Sequence, residues 1–341
     1  MVPSYNSSRT RLILGPFGET TMADNFDRRT FLRSAAAASL TAAAGFALRS
    51  GSQPALAQTP IPRLGGPWLK TSLNAYSFSK PLNDAAKMRG AGMSLFQLLD
   101  FCAEQNFDAV DPTGYFFPGY PKVPSDSFLS EFKRRSHELG LDLSGTGVRN
   151  DLATPDQAAR AKDVQHIKEW IEVAARMGAP VLRVFSGKRP TDVAWDQVAK
   201  WMVDDLQQCV EHAAKVGVII GIQNHADFLS TSDEVLKIVK LVDSPWFGVI
   251  VDTGFFPGPD PYEHIARVIP YAVNWQIKEK VDTKDGTQKT DLRRLVKLIR
   301  AGNYRGYLPI ETLSVAGQSY DPKALVAELL AELKTAIQET A

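Results

Sequence analysis

From Trp68 to the C-terminus the chain repeats one unit: a short apolar, β-rich run, then a longer segment with helical spacing, with no break in composition. Eight runs can be counted, at residues 69–77, 109–115, 141–148, 180–186, 218–225, 247–254, 272–278 and 307–313. The junctions leading back into a run resemble one another. Gln105-Asn106, Leu139-Gly140, Met177-Gly178, Val216-Gly217 and Ala301-Gly302 each offer a residue that tolerates the left-handed conformation and so ends a helix. Helix starts are marked too. Asp260-Pro261 and Asp321-Pro322 pair a capping acid with a proline at the first helical position, and Thr231-Ser232-Asp233-Glu234 fits a capping box. Eight strand–helix units predict an α/β fold of the parallel (β/α)8 type, a single-domain TIM barrel of about 250 residues. The alternative, an open doubly wound sheet, calls for a Gly-rich phosphate turn after an early strand. No G-x-G-x-x-G follows any of these runs.

The repeat leaves the first 57 residues unexplained. There, Asp27-Arg28-Arg29-Thr30-Phe31-Leu32-Arg33 precedes an uncharged, Ala-rich run over 34–48, and Ala55-Leu56-Ala57 stands before Gln58. A basic stretch, an apolar stretch and a small-x-small cleavage site make a secretory signal. The paired arginines with Phe31 and Leu32 fit the twin-arginine address of bacterial export. The expectation is a leader over 1–57, cleaved after Ala57, and a barrel over 58–341 that is periplasmic or exported, with the twin-arginine machinery as partner. The uncharged run falls short of the roughly 20 apolar residues of a membrane span, so no stable span is expected.

Charge excludes a further class. The 341 residues carry 39 Lys and Arg against 38 Asp and Glu, and six Arg and three acids fall within 1–57, which leaves the remainder at net −2. A chain that binds by neutralising phosphates shows a basic excess, so no nucleic-acid partner is expected. Two cysteines, Cys102 and Cys209, exclude a disulfide scaffold and a Cys-rich zinc module. Whether they pair stays open at this level.

In a barrel the chemistry sits at the C-terminal ends of the strands, and period-two alternation tells which side chains share a face. Gly221, Gln223 and His225 share a face of the fifth run, Ile250 and Asp252 of the sixth, Asn274, Gln276 and Lys278 of the seventh, Pro309 and Glu311 of the eighth. Four consecutive strands thus aim polar side chains at one mouth. Either these groups satisfy one another or they face a ligand. Four together, each costly to bury alone, point to a site.

The segments around these residues resemble the xylose-isomerase-like TIM barrels, a family that takes in sugar and sugar-phosphate isomerases and epimerases and the so-called AP endonuclease family 2. They are Gly221-Ile222-Gln223-Asn224-His225 with Phe228-Leu229-Ser230-Thr231, Phe247-Gly248-Val249-Ile250-Val251-Asp252-Thr253-Gly254, Asn274-Trp275-Gln276-Ile277-Lys278-Glu279, and Tyr307-Leu308-Pro309-Ile310-Glu311-Thr312. The resemblance runs from about Thr71 to the C-terminus. It implies one divalent ion held by Glu, Asp, His and Glu on the fifth to eighth strands, the two Glu doubling as acid and base. Those positions here are Gln223, Asp252, Gln276 and Glu311, and a His common after the family's Asp-x-Gly is Phe255. Two carboxylates and two neutral amides suit Mn²⁺ or Mg²⁺ better than zinc. A metal-free site of amide–carboxylate hydrogen bonds is the alternative.

The same departures narrow the mechanism that the resemblance implies. Gln223 does not titrate, so a symmetric two-base epimerisation is unavailable. Glu311 remains as a base beside a carbonyl, with the enolate oxygen stabilised by the metal or by Lys278. His225 is either the second acid or a mouth-lining residue bonded to Asn224 or Asp227. One base favours β-elimination or hydration of a keto-sugar, reactions that some relatives perform. The rest of the mouth is expected to hold substrate through Asp111, Tyr115, Arg149, Asn150, Arg183, Asn224 and Asn274. Tyr115, Phe116, Phe117 and Trp275 either stack on a sugar ring or pack loops. No Gly-rich phosphate cradle is present, and export separates the chain from phosphorylated sugars, so a free or oxidised sugar is expected.

Three classes of function follow. The first is an exported sugar isomerase or epimerase, with a keto-sugar lyase or hydratase as its variant. The second is a non-catalytic sugar-binding barrel. The third, a DNA enzyme of the AP endonuclease kind, needs by resemblance several zinc ions and many inward His. Only five His exist and only His225 ends a strand, so that class is excluded.

Overall fold

The computed structural model describes residues 59–341 apart from Ala91, Ala226, Asp227, Ala316 and Gln318. The proposed leader with Arg28 and Arg29 lies outside the described residues. The strands are β1 (Trp68–Asn74), β2 (Ala109–Asp111), β3 (Asp142–Leu143), β4 (Thr146–Gly147), β5 (Val181–Phe185), β6 (Ile219–Gln223), β7 (Phe247–Asp252), β8 (Ala272–Lys278), β9 (Lys280–Thr283), β10 (Gly286–Lys289) and β11 (Arg305–Glu311). All but β9 and β10 form one parallel sheet in the order β3-β2-β1-β11-β8-β7-β6-β5-β4. β3 and β4 are two halves of the third predicted run. β3 pairs with β2, β4 pairs with β5, and Thr113 bridges to Gly147, so the sheet curls into a nearly closed barrel. The expected (β/α)8 architecture is the observed one.

The helices are α1 (Ser79–Ala86), α2 (Leu95–Glu104), α3 (Asp126–Glu138), α4 (Gln157–Met177), α5 (Trp195–Val216), α6 (Ser232–Val242), α7 (Pro261–Val268), α8 (Leu292–Ala301) and α9 (Pro322–Glu339). They surround the barrel, and the main apolar layer lies between them and the strands. On β6 and β7 the fully buried Ile220, Ile222, Val249 and Val251 alternate with the residues that face the barrel axis. No helix of the described residues is long and apolar enough to cross a membrane. Cys102 and Cys209 are both buried and both free thiols.

The local signals act as their chemistry requires. Asp260 caps α7 by accepting from the Tyr262 N–H, Asp321 caps α9, and Thr231 and Glu234 form a capping box on α6. Gly178 and Gly217 end α4 and α5 in the left-handed region, at φ of +88° and +76°. Gly302 differs from its expected role. Its φ is −77°, and the left-handed residue is Asn303, at +53°. Gly302 is needed for space, since a Cβ there would lie 2.2 Å from Ile269 Cγ2.

Two features were not read from the pattern. Between β8 and α8 the chain makes the antiparallel hairpin β9–β10, whose turn residues Lys284-Asp285 lead into Gly286 at φ +98°, so that Asp285-Gly286 closes the turn. That dipeptide was its available signal. The pairing of β7 with β8 also skips Val273: Val249 pairs with Ala272, but Ile250 pairs with Asn274. This irregularity sets Asp252 opposite Gln276 at the C-terminal mouth.

Candidate active site

The C-terminal strand ends open into a cavity of about 530 Å³, a size typical of small-molecule sites. One half of its wall carries Gln223, His225, Gln276, Lys278 and Glu311, and the other carries Tyr115, Arg149, Asn150 and Arg183. Sequence reasoning missed Asn74 at the end of β1, Tyr76 and Ser79 beyond it, Thr312 to Ser314 after β11, and the aromatic Phe185. Asn74 ends a strand with a polar side chain, the same signal that marked the other positions.

Lys278 closes β8 and Glu311 closes β11, and the two are register partners on adjacent strands. Their side chains therefore meet. The Lys278 ammonium donates to Glu311 and lies 3.5 Å from Asp252 Oδ2, with all three side chains at most 5% exposed. Burial opposes the charge on Lys278, but Asp252 and Glu311 outweigh it and raise its pKa. This lysine is thus a fixed cation, not a base or an amine nucleophile. Burial pushes the Asp252 carboxyl up, with Lys278 opposing and Glu311 reinforcing the shift. Two carboxylates share one ammonium. Removing one partner from such a buried pair costs about 3–5 kcal/mol.

The surroundings fix that ammonium in place. The Lys278 N–H donates to Thr253 Oγ1 at 2.9 Å, and Thr290 Oγ1 donates to the Lys278 carbonyl at 2.7 Å. Gly254 gives the side chain room, because a Cβ there would lie 2.8 Å from Lys278 Cγ. The Phe255 ring lies 5.5 Å from Nζ, within the range of a cation–π contact. His225 stands between two aromatics, its ring 4.9 Å from that of Phe185 and 4.5 Å from that of Phe255.

Beside this cluster Gln223 Nε2 donates to Asp252 Oδ2 at 2.6 Å and to Gln276 Oε1 at 2.8 Å. Gln223 Oε1 is buried with no partner among the described residues. The four side chains expected to hold a divalent ion, Gln223, Asp252, Gln276 and Glu311, are therefore brought together, but not as ligands. The Lys278 ammonium holds both carboxylates, and Gln223 turns its nitrogen towards two acceptors, as those acceptors demand. A divalent cation placed there would meet an ammonium and an amide NH₂. These residues do not fit Mn²⁺ or Mg²⁺ in this arrangement. No group of three or more His, Cys, Asp or Glu among the described residues is arranged to hold a metal ion.

Opposite this cluster, Arg183 on β5 donates to the Val148 carbonyl at 2.8 Å and to the Tyr115 hydroxyl. Gly147 lets it lie there, since a Cβ would sit 2.7 Å from Arg183 Nε. Arg149 covers the Tyr115 ring at 4.7 Å. Burial raises the Tyr115 pKa, with Arg183 opposing, so the phenol is neutral.

Several expected substrate contacts have other partners. Asn224 Nδ2 donates to the Asp252 carbonyl at 2.8 Å and its Oδ1 accepts from the Asp252 N–H at 2.9 Å. It prolongs the β6–β7 ladder and is not part of the cavity wall. Asn150 lines the wall but makes the same kind of clamp on the Phe185 backbone, at 2.6 and 2.9 Å. Asn274 Nδ2 donates to Asp111 Oδ2 and to the Ser144 carbonyl, both at 3.1 Å, inside the barrel beneath the cavity. Burial pushes the Asp111 carboxyl up to about 7, with Arg183 opposing. Of the four aromatics considered for stacking, only Tyr115 lines the cavity. Phe116, Phe117 and Trp275 are core residues, and Trp275 packs its ring 5.6 Å from that of Tyr304.

Comparison with known proteins agrees with this frame. Residues 99–336 match the family described as xylose isomerase-like TIM barrel. The alpha subunit of a 3'-dehydrocarminate deglycosidase from Microbacterium sp is 25% identical over 197 residues, 53% of this chain and 53% of that protein. The alpha subunit of a C-glycoside deglycosidase from Arthrobacter globiformis is 29% identical over 154 residues, 41% of this chain and 37% of that one. The chain thus spans about half the length of the first of these relatives and less of the second. Among solved structures, the D-psicose 3-epimerase of Clostridium cellulolyticum H10 has a TM-score of 0.65 at 14% identity, covering 79% of this chain and 99% of that one. The 3-keto-D-glucoside 4-epimerase of E. coli has a TM-score of 0.60 at 15% identity, covering 78% and 98%. These two likenesses are of fold. The match of residues 99–336 identifies the family: this chain belongs to the xylose isomerase-like TIM barrels.

Proposed function

We propose that this protein transforms a keto-sugar by removing the proton on the carbon beside the carbonyl, with Glu311 as base and Lys278 holding the carbonyl oxygen. The observation that carries this reading is the buried Lys278–Glu311 pair on the cavity wall. When the C–H bond breaks, its electron pair forms a C=C bond, the carbonyl π pair moves onto oxygen, and the proton goes to Glu311. Glu311 loses its negative charge as the substrate oxygen gains one. Lys278 exchanges one anionic partner for another, so the buried charge stays balanced through the step.

One titratable carboxylate on the wall favours elimination or hydration over epimerisation. In a 3-keto-glucoside the C2 proton lies beside the carbonyl and the glycosidic oxygen at C1 lies β to it. Collapse of the enolate expels that oxygen, which takes its proton from Glu311 or from His225. Two curated relatives are named as deglycosidases, one of them for a dehydro compound, which supports cleavage of an oxidised glycoside. Epimerisation is the second reading, favoured by the presence of His225 on the same wall as a second proton-transfer group. The proposal places the reaction outside the cytoplasm, on the strength of Arg28, Arg29 and the leader pattern.

The test is incubation of the full chain with methyl 3-keto-glucoside in deuterated water, followed by NMR. Exchange of the C2 hydrogen with release of methanol is expected. A substrate recovered intact and unlabelled overturns the proposal.

A further inference from the structure

Three cations are buried among the described residues, and two of them have carboxylate partners. Arg160, 8% exposed, meets Asp205 at 2.9 Å, and Lys278 is held by Glu311 and Asp252. Arg183, 5% exposed, is different. Its hydrogen-bond partners are the Val148 carbonyl and the Tyr115 hydroxyl, both neutral, and its Nε has no partner. Its charge acts on Asp111, but that carboxyl accepts from Asn274, and no ion pair joins it to Arg183. A buried guanidinium with no carboxylate bonded to it is costly, and that cost falls when an anion binds it directly.

Arg149, an exposed residue of the same wall, adds a second guanidinium. Its guanidinium lies 4.7 Å from the centroid of the Tyr115 ring and that of Arg183 lies 5.4 Å from it, so one phenol carries two cations. No carboxylate of a described residue forms an ion pair with Arg149 either. Both arginines line the cavity. In the strand order they lie across the barrel from β8 and β11, which carry Lys278 and Glu311. The cavity is therefore divided in charge: carboxylates already paired on one side, unpaired guanidinium groups on the other.

We infer that the substrate carries an oxyanion, a carboxylate or a phosphate, which Arg183 and Arg149 receive while the reacting carbon faces Glu311. The inference rests on the proposed keto-sugar reading for its orientation, not for the anion site itself. A charge-assisted bond made out of water is stronger than one to a neutral hydroxyl, so an oxyanion competes with Tyr115 for Arg183 and meets the exposed fork of Arg149. Tyr115 and Gly147 are positioning residues here. The ring carries both cations, and the missing Cβ lets Arg183 lie against the strand.

The test is calorimetric binding of D-glucuronate, D-glucose 6-phosphate and D-glucose to the full chain, in low and high salt. At least one of the two acids should bind about tenfold or more tighter than glucose, and salt should reduce that advantage. A tighter uronate assigns a carboxylate and a tighter phosphate ester assigns a phosphate. Arg149→Gln, a change at an exposed position, should remove most of the preference for the acid over glucose. Arg183→Lys, which keeps the charge but not the fork, should weaken the acid more than glucose. Equal affinities for all three ligands, no binding by any of them, or a preference indifferent to Arg149→Gln overturns the inference. These readings need no turnover. A chain that prefers the acid but leaves keto-glucosides untouched loses the proposed reaction and keeps the anion site.

Discussion

The ammonium of Lys278 is bonded to the carboxylate of Glu311 across adjacent strand ends, with neither side chain more than 5% exposed. Asp252 Oδ2 lies 3.5 Å from the same ammonium, so the pair is a cluster with one cation and two anions. In the family pattern these carboxylates belong to a divalent ion. Here a side chain of the protein supplies the positive charge.

This arrangement makes a prediction about metals. Adding Mn²⁺ or EDTA to the purified protein should leave its thermal midpoint unchanged. Lys278→Met frees Asp252 and Glu311 and should lower stability by about 3–5 kcal/mol. Mn²⁺ should then raise the midpoint of the variant, as a ligand that binds only the folded state does. Stabilisation of the unaltered protein by Mn²⁺ contradicts the proposed role of Lys278.

Gly254→Ala tests how closely the ammonium must be placed. The new Cβ would lie 2.8 Å from Lys278 Cγ and push the side chain away from its partners. Keto-sugar turnover should fall by about tenfold or more with the fold intact by circular dichroism. Unchanged turnover indicates that the position of Lys278 is not critical.

Much of this was legible in the sequence, and the limits have physical causes. The barrel order follows from local signals: apolar runs, helix-stop residues such as Gly178 and Gly217, and acid–proline starts at Asp260 and Asp321. Gln223, Asp252, Gln276, Lys278 and Glu311 were placed by counting every second residue, which holds wherever a strand is regular. That the ammonium stands between the carboxylates was not legible. It depends on the cross-strand register of Lys278 with Glu311 and on the space left by Gly254. Asn224 and Asn150 read as ligand contacts because an Asn after a strand looks the same whether it binds a sugar or clamps a neighbouring backbone. Phe116 and Phe117 read as candidates because aromatic type does not reveal which side of a strand end a ring takes.

Asp111 supplies a test of pH dependence. Its carboxyl ordinarily titrates near 3.8 and is pushed by burial up to about 7. Between those values the folded state binds more protons than the unfolded one, so this group's contribution to stability falls as pH rises through that window. Asp111→Asn keeps an acceptor for Asn274 and removes the titration. The variant should gain stability relative to the parent on going from pH 5 to pH 8, by a few kcal/mol at most. The measurement is denaturant unfolding at both values, and a difference independent of pH refutes the assignment.

The proposed leader makes a prediction in living cells. Changing both Arg28 and Arg29 to Lys should trap the full-length protein in the cytoplasm, because the export receptor reads the paired arginines. Cell fractionation and immunoblotting measure this. Normal appearance of the variant in the periplasm removes the twin-arginine reading.

The role of Glu311 is tested most directly by hydrogen exchange. Glu311→Gln preserves the shape of the side chain and removes its capacity to take a proton. The rate at which the C2 hydrogen of methyl 3-keto-glucoside exchanges with deuterated water should fall by about 100-fold or more, while the thermal midpoint shows that the fold persists. Exchange at the parental rate in the Gln variant contradicts Glu311 as the base.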